Sequence, residues 1–273
     1  MPRSRPSSFV RIAGLAGVVL TATHLIAATS LPASGEMQEF ALRRVLPGLL
    51  VTALFAMLAV RLGSVTKGGA IAGWVVSITI FICAGPAGFI VLATVFLLTL
   101  VATHVGATRK RRLGTAEHAG GRRPQQVLAN LAVAALCSAA ALVWHPWLLI
   151  CMTAALAEAA ADTVSSECGE AWSDRVYLVT SFERVPVGTD GGISLAGTLA
   201  GTAAAIVVVW VAYALRLVPR HGAILAAGAA VIATFFDSLL GASLQRRGRL
   251  SNSTVNFLST IAAASIAAAL VFS

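Results

Sequence analysis

Only eleven acidic residues occur in the 273-residue chain, and several sit where a charge is expensive. Glu158 and Asp162 stand four apart, on one face of a helix, within an apolar run. Glu167 follows about a turn later in Asp162-Thr163-Val164-Ser165-Ser166-Glu167-Cys168-Gly169, and Asp237 lies beside Ser238 in a separate apolar run. A charge at mid-membrane costs about 2.5–3.5 kcal/mol on insertion scales and is usually kept for function. Carboxylates converging from two helices suit Mg²⁺, which takes hard oxygen ligands and often completes its shell with substrate phosphates. For Glu158, a position near the interface or pairing with a basic neighbour is the competing reading.

A second constellation is Val187-Gly188-Thr189-Asp190-Gly191-Gly192-Ile193-Ser194, directly before an apolar run. Glycines let backbone N–H groups approach an anion, and a helix N-terminus adds unpaired donors and the positive end of its dipole. The pattern fits a phosphate cradle containing an acid, and it also fits a helix cap and turn. Basic residues gather at Arg109-Lys110-Arg111-Arg112 and at Arg122-Arg123, just before Gln126-Val127-Leu128-Ala129-Asn130. Topological signalling accounts for the first cluster, whereas Arg122 and Arg123 are placed to reach phosphate at the membrane surface. Asn130 enters an apolar helix, where its amide needs a partner. Ser238 to Gln245 and Asn252 to Asn256 add hydroxyls and amides near the last apolar run. No Walker loop, GxSxG elbow, HExxH or kinase-type HRD or DFG set is present.

These residues need a scaffold, and composition says which. With 58% hydrophobic and 11% charged residues and a mean hydropathy of +0.85, the chain reads as an all-α polytopic transmembrane bundle. Spans are predicted near 11–31, 45–62, 70–84, 87–106, 126–144, 147–163, 193–215, 222–243 and 254–272. That makes about nine, or eight if one marginal run is discounted. Abundant Gly and Ala permit close helix packing. With the N-terminus inside, Arg43, Arg44, Arg216 and Arg220 fall outside, and the other sixteen Lys and Arg residues fall inside. This asymmetry places the N-terminus and the long polar loops 107–125 and 164–192 in the cytoplasm. The net charge of +9 then marks cytoplasmic loops and anionic headgroups, not nucleic acid. Cys83, Cys137, Cys151 and Cys168 form no CxxC pair, and the five histidines have no metal-ligand spacing. Residues 1–44 are read as an N-terminal region carrying an uncleaved span, ahead of the membrane domain 45–273.

The polar segments taken together resemble the integral membrane proteins of domain-of-unknown-function family ninety-two, which includes the plant phytyl-phosphate kinase and the animal transmembrane protein nineteen. Thr66-Lys67-Gly68-Gly69-Ala70, Gln126 to Asn130, Ala161 to Gly169, Gly188 to Ser194, Asp237 to Ala242 and Val255-Asn256 carry the resemblance. It covers about residues 45–272. It implies Mg²⁺-dependent transfer of a phosphate from a nucleoside triphosphate, CTP or another, to a polyprenyl monophosphate such as phytyl, farnesyl or geranylgeranyl phosphate. The chain itself is read as residing in a bacterial inner membrane, with the site on the cytoplasmic face that the Lys and Arg asymmetry indicates.

On that reading Asp162, Glu167, Asp190 and Asp237 are the catalytic acids, and with Glu158 they make up the metal-binding set. Lys67, Arg122, Arg123 and Arg184 neutralise phosphate charge. Gly188, Thr189, Gly191, Gly192 and Ser194 cradle it, and Asn130, Ser166, Ser238 and Asn256 add hydrogen bonds to phosphate or nucleotide. The residues leave open a transporter or flippase of a phosphorylated lipid or small anion, a CDP-lipid-forming cytidylyltransferase, and a scaffold without a small-molecule site. Oligomeric state is not legible in the sequence.

Overall fold

A computed structural model describes residues 39–115 and 120–273. The predicted first span, 11–31, lies outside the described residues. Among the latter, seven helices are long and apolar enough to cross a membrane, so the protein is an integral, multi-pass membrane protein. They are α1 (Leu46–Arg61, entered through a π-helical turn at Ala41–Val45), α2 (Lys67–His104), α4 (Pro124–Val143), α5 (Leu148–Trp172), α6 (Leu195–Ala214), α7 (Arg220–Leu240, continued by a π-helical turn at Gly241–Gln245) and α8 (Asn252–Val271). A short basic helix, α3 (Ala107–Leu113), follows α2.

The sequence predicts two spans where the single 38-residue α2 stands, and the geometry reconciles them. Gly85 has φ 75° and ψ −174°, outside the helical region, and Pro86 follows it with no N–H to donate. Residues 80 and 88 would lie about 12 Å apart in a straight helix. Instead, a Cβ on Gly88 would stand 3.6 Å from the Ile80 carbonyl oxygen, and the rings of Phe81 and Phe89 are 5.7 Å apart. The chain therefore folds back at Gly85, and α2 is a hairpin of two roughly 28 Å arms, each matching the ~30 Å hydrocarbon core. Seven helices thus make eight crossings among the described residues. Arg44 donates to the Ile82 carbonyl at 2.9 Å, satisfying a group that the break leaves without its helical partner.

The central element is α5. Its residues from Ile150 to Ala161 are all buried, and it packs against α2, α4, α6, α7 and α8. Its crossing with α6 depends on small residues. A Cβ on Gly197 would lie 2.6 Å from the Ser165 carbonyl oxygen, and one on Gly201 would lie 2.6 Å from that of Ala161. In lipid such backbone approach, more than hydrophobic expulsion, drives helix association. Between α5 and α6 the loop folds into a three-stranded antiparallel sheet, absent from the all-α expectation. It comprises β1 (Val176–Leu178), β2 (Arg184–Val185) and β3 (Gly192–Ile193), in the order β2-β1-β3.

Candidate functional site

The hairpin and the helix order bring the loops after α1, after the second arm of α2, after α5 and after α7 to one end of the bundle. There a polar cavity of about 450 Å³ opens. Fourteen of the seventeen residues predicted to contact phosphate or act as catalytic acids line it: Asp162, Glu167, Asp190, Asp237, Arg122, Asn130, Ser166, Gly188, Thr189, Gly191, Gly192, Ser194, Ser238 and Asn256. Lys67, Arg123 and Arg184 do not. Lys67 and Arg123 are exposed beside the mouth. Arg184, on an exposed strand, donates to the Asp174 carbonyl at 3.0 Å, so its charge is directed away from the cavity.

At the inner wall, three helices are tied by amides. The Asn256 side chain on α8 donates to Asn130 Oδ1 on α4 at 2.9 Å, and it lies 3.5 Å from Asp162 Oδ2 on α5. The partner that Asn130 requires is therefore Asn256. Asp237 reaches the same wall from α7, and its Oδ2 is buried with no hydrogen-bond partner in the structure. Glu158 lies beneath, 1% exposed, with an equally unpartnered Oε1, and Ser259 stands beside both Glu158 and Asp237. Glu158, Asp162 and Asp237 face one another within electrostatic range, and Arg122 is a charge partner of Asp162.

Among the described residues no group of three or more His, Cys, Asp or Glu side chains is assembled to hold an ion by itself. The five acids of the predicted metal set stand in different surroundings. Glu158 is sealed in the core, and Asp190 is held by the Gln245 amide at 2.8 Å. Both Glu167 oxygens are engaged: Oε1 accepts from Thr103 at 3.1 Å, and Oε2 is ion-paired with Lys110. Lys110, which the sequence groups with a topogenic basic cluster, is 1% exposed and also donates to the Ala102 and Thr103 carbonyls. Together with the Arg109–Asp174 pair, it fastens the end of α2 to the end of α5. Asp162 and Asp237 are the acids that reach the inner wall of this cavity from two helices, and the buried, unpartnered Asp237 oxygen fits a hard cation that shares its shell with phosphate oxygens.

The glycine-rich segment has a packing role as well. Ser194 caps α6, accepting from the Gly197 N–H at 3.1 Å, so the cap reading holds for that residue. Gly191 has φ 73°, and a Cβ there would stand 2.2 Å from the Ala242 nitrogen, so the loop backbone lies directly on the end of α7. Desolvation raises the Asp190 carboxyl above its ordinary range, and the Arg246 guanidinium opposes that shift. Gly191→Ala is expected to separate the loop from α7, at a cost of about 1–3 kcal/mol from the strained φ alone. Faster proteolytic cleavage within 173–194 and a lower melting temperature would report it.

A second cavity of about 220 Å³, walled mainly by apolar side chains, lies between α1, both arms of α2, α4 and α5. It shares Arg122, Asn130 and Thr163 with the polar cavity. Arg122 is held by the parallel bridge between Val65 and Arg122 and donates to Thr99 Oγ1 at 3.3 Å. Residues missed by the sequence reading include Lys110, Thr163, Thr115 and Glu170. Glu170 had one available signal, its i,i+3 spacing from Glu167, which sets it on the same helix face.

The family model described as Integral membrane protein DUF92 matches residues 50–264. An uncharacterized membrane protein of Synechocystis sp. is 34% identical over 200 residues, covering 71% of this chain and 78% of that protein. Protein VTE6, chloroplastic, of Arabidopsis thaliana is 33% identical over 184 residues, covering 64% of this chain and 55% of that protein. An uncharacterized membrane protein of Methanocaldococcus jannaschii is 30% identical over 220 residues, covering 80% of this chain and 90% of that protein. No solved structure matches the chain.

Proposed function

Because the chain belongs to the integral membrane family DUF92, we propose that it transfers a phosphate from a nucleoside triphosphate to a polyprenyl monophosphate, forming the diphosphate on the cytoplasmic side. The observation that carries this reading is the junction of a polar cavity holding Asp162 and Asp237 with an apolar one at Arg122, Asn130 and Thr163. A lipid phosphate has that same division between charged head and apolar tail. The resemblance to the family of the plant phytyl-phosphate kinase supplies the acceptor class.

In this mechanism Arg122 neutralises the acceptor phosphate at the junction, and the Asn130–Asn256 pair fixes its orientation. Asp162 and Asp237 would hold Mg²⁺, which when bound supplies charge neutralisation to the nucleotide phosphates. The backbone of 188–192 and Ser166 line the same cavity and position the donor. The acceptor is already ionised near neutral pH, so no side chain is needed as a general base. Rate enhancement comes from alignment and electrostatic stabilisation.

The test is incubation of purified protein in detergent with Mg²⁺, γ-labelled nucleoside triphosphates and prenyl monophosphates from geranyl to undecaprenyl, followed by lipid extraction. Label is expected in a prenyl diphosphate and is expected to vanish when the divalent cation is chelated. Release of pyrophosphate would assign nucleotidyl transfer instead. Absence of labelled lipid from folded protein would overturn the proposal and direct the next assay to flux in proteoliposomes.

A further inference from the structure

The apolar cavity has a definite depth, and its far wall is aromatic. Its innermost wall residue on α2, Leu92, lies twelve residues from His104 at the mouth, about 18 Å along the helix axis. Phe55 of α1 closes the inner side. Its ring packs edge-on against Phe96 at 5.0 Å and against Phe89 at 5.3 Å. Phe89 in turn lies 5.7 Å from Phe81, which abuts Gly48 near the opposite membrane face. Phe55 and Phe96 line the cavity, and Phe89 and Phe81 continue the row of rings beyond it. Elsewhere the wall is built of small residues, because Gly69, Ala70 and Gly73 contribute almost no side chain. At Gly73 a Cβ would meet only Val127 Cγ1, at 3.8 Å, so the glycine leaves space that a larger residue could occupy without disturbing the backbone.

We infer that this cavity holds the tail of the acceptor and that Phe55 and Gly73 set the tail length it takes. The inference rests on the acceptor being a polyprenyl monophosphate. With the phosphate at Arg122, whose guanidinium bonds Thr99, the wall runs seven residues to Leu92, about 10 Å, which an extended carbon chain advancing about 1.25 Å per carbon covers in roughly eight carbons. That length corresponds to about two isoprene units. A shorter tail leaves apolar wall uncovered, and a longer one meets Phe55.

The experiment compares kcat/KM for geranyl, farnesyl, geranylgeranyl and longer prenyl monophosphates in the full chain, Gly73→Leu and Phe55→Ala. Binding of the same lipids, labelled in the tail, is measured in parallel by gel filtration in detergent. Gly73→Leu is expected to lower the farnesyl-to-geranyl ratio about tenfold or more, and Phe55→Ala is expected to move the optimum to a longer tail. Phe55→Ala opens a space among the rings and can unfold the bundle, so Gly73→Leu, which adds volume at an open position, decides if that variant is not recovered. Unchanged length profiles in a folded, active Gly73→Leu would overturn the tail assignment while leaving phosphate transfer standing. If no lipid is phosphorylated but tail-labelled binding shifts with Gly73→Leu, the tail site stands and the kinase reading falls.

Discussion

Asp162→Asn and Asp237→Asn are each expected to lower phosphate transfer by at least about 10²–10³-fold, the usual scale for removing one electrostatic stabiliser of a transition state. The effect of Asp237→Asn on stability is expected to be neutral or favourable. The Asp237 Oδ2 atom is buried without a partner, and a carboxylate held that way costs desolvation energy that an isosteric amide avoids in part. At Asp162 the lost Arg122 charge pairing opposes the relief of repulsion with Glu158, and the Asn256 amide at 3.5 Å can still serve a neutral acceptor. Loss of turnover with an unchanged or higher melting temperature separates a catalytic from a structural role, because a structural carboxylate would lose both together. Wild-type turnover in both variants would remove the two acids from the mechanism.

Lys110→Met is expected to destabilise the protein by about 3 kcal/mol, the low end of the cost of stranding one member of a buried ion pair. Lys110 is 1% exposed, and its Glu167 partner is 14% exposed. Removing the ammonium leaves the Glu167 carboxylate with Thr103 alone among these partners. It also leaves the Ala102 and Thr103 carbonyls without their shared donor. Lys110→Met combined with Glu167→Gln is expected to recover much of the loss, since the residues are in contact and their effects are not additive. Detergent melting curves of the four proteins measure this. If the double variant is as unstable as the sum of the singles, the pair does not act as a unit.

These expectations differ in how far the sequence alone could reach them. Asp162 and Asp237 stand out because few charges occur within long apolar runs, and the cost of placing them there is a property of each residue. The asparagines follow the same logic, and the Asn130–Asn256 bond joins two residues flagged separately. Lys110 had no such signal. It lies among Arg109, Arg111 and Arg112, and topological counting treats all four alike, although Lys110 alone of them is buried. Lys67, Arg123 and Arg184 were grouped with Arg122 by sign and membrane face, yet only Arg122 is turned into the cavities. The sheet was hidden for another reason: strands of two or three residues are too short to display an alternating pattern.

The sequence by itself determined the solvent, the approximate positions of the spans among the described residues, the reversal at Gly85-Pro86 and the end of the bundle where polar chemistry gathers. Each follows from the cost of placing a given residue or peptide group in hydrocarbon, and that cost is nearly independent of its neighbours. Only the tertiary structure decided that Glu167 belongs to Lys110, that Gly191 is a glycine because α7 presses on it, and that an apolar cavity meets a polar one at Arg122. Pairings, close approaches and voids depend on where two distant segments come to rest. Side chains that are interchangeable in hydropathy become distinct only once their partners are fixed.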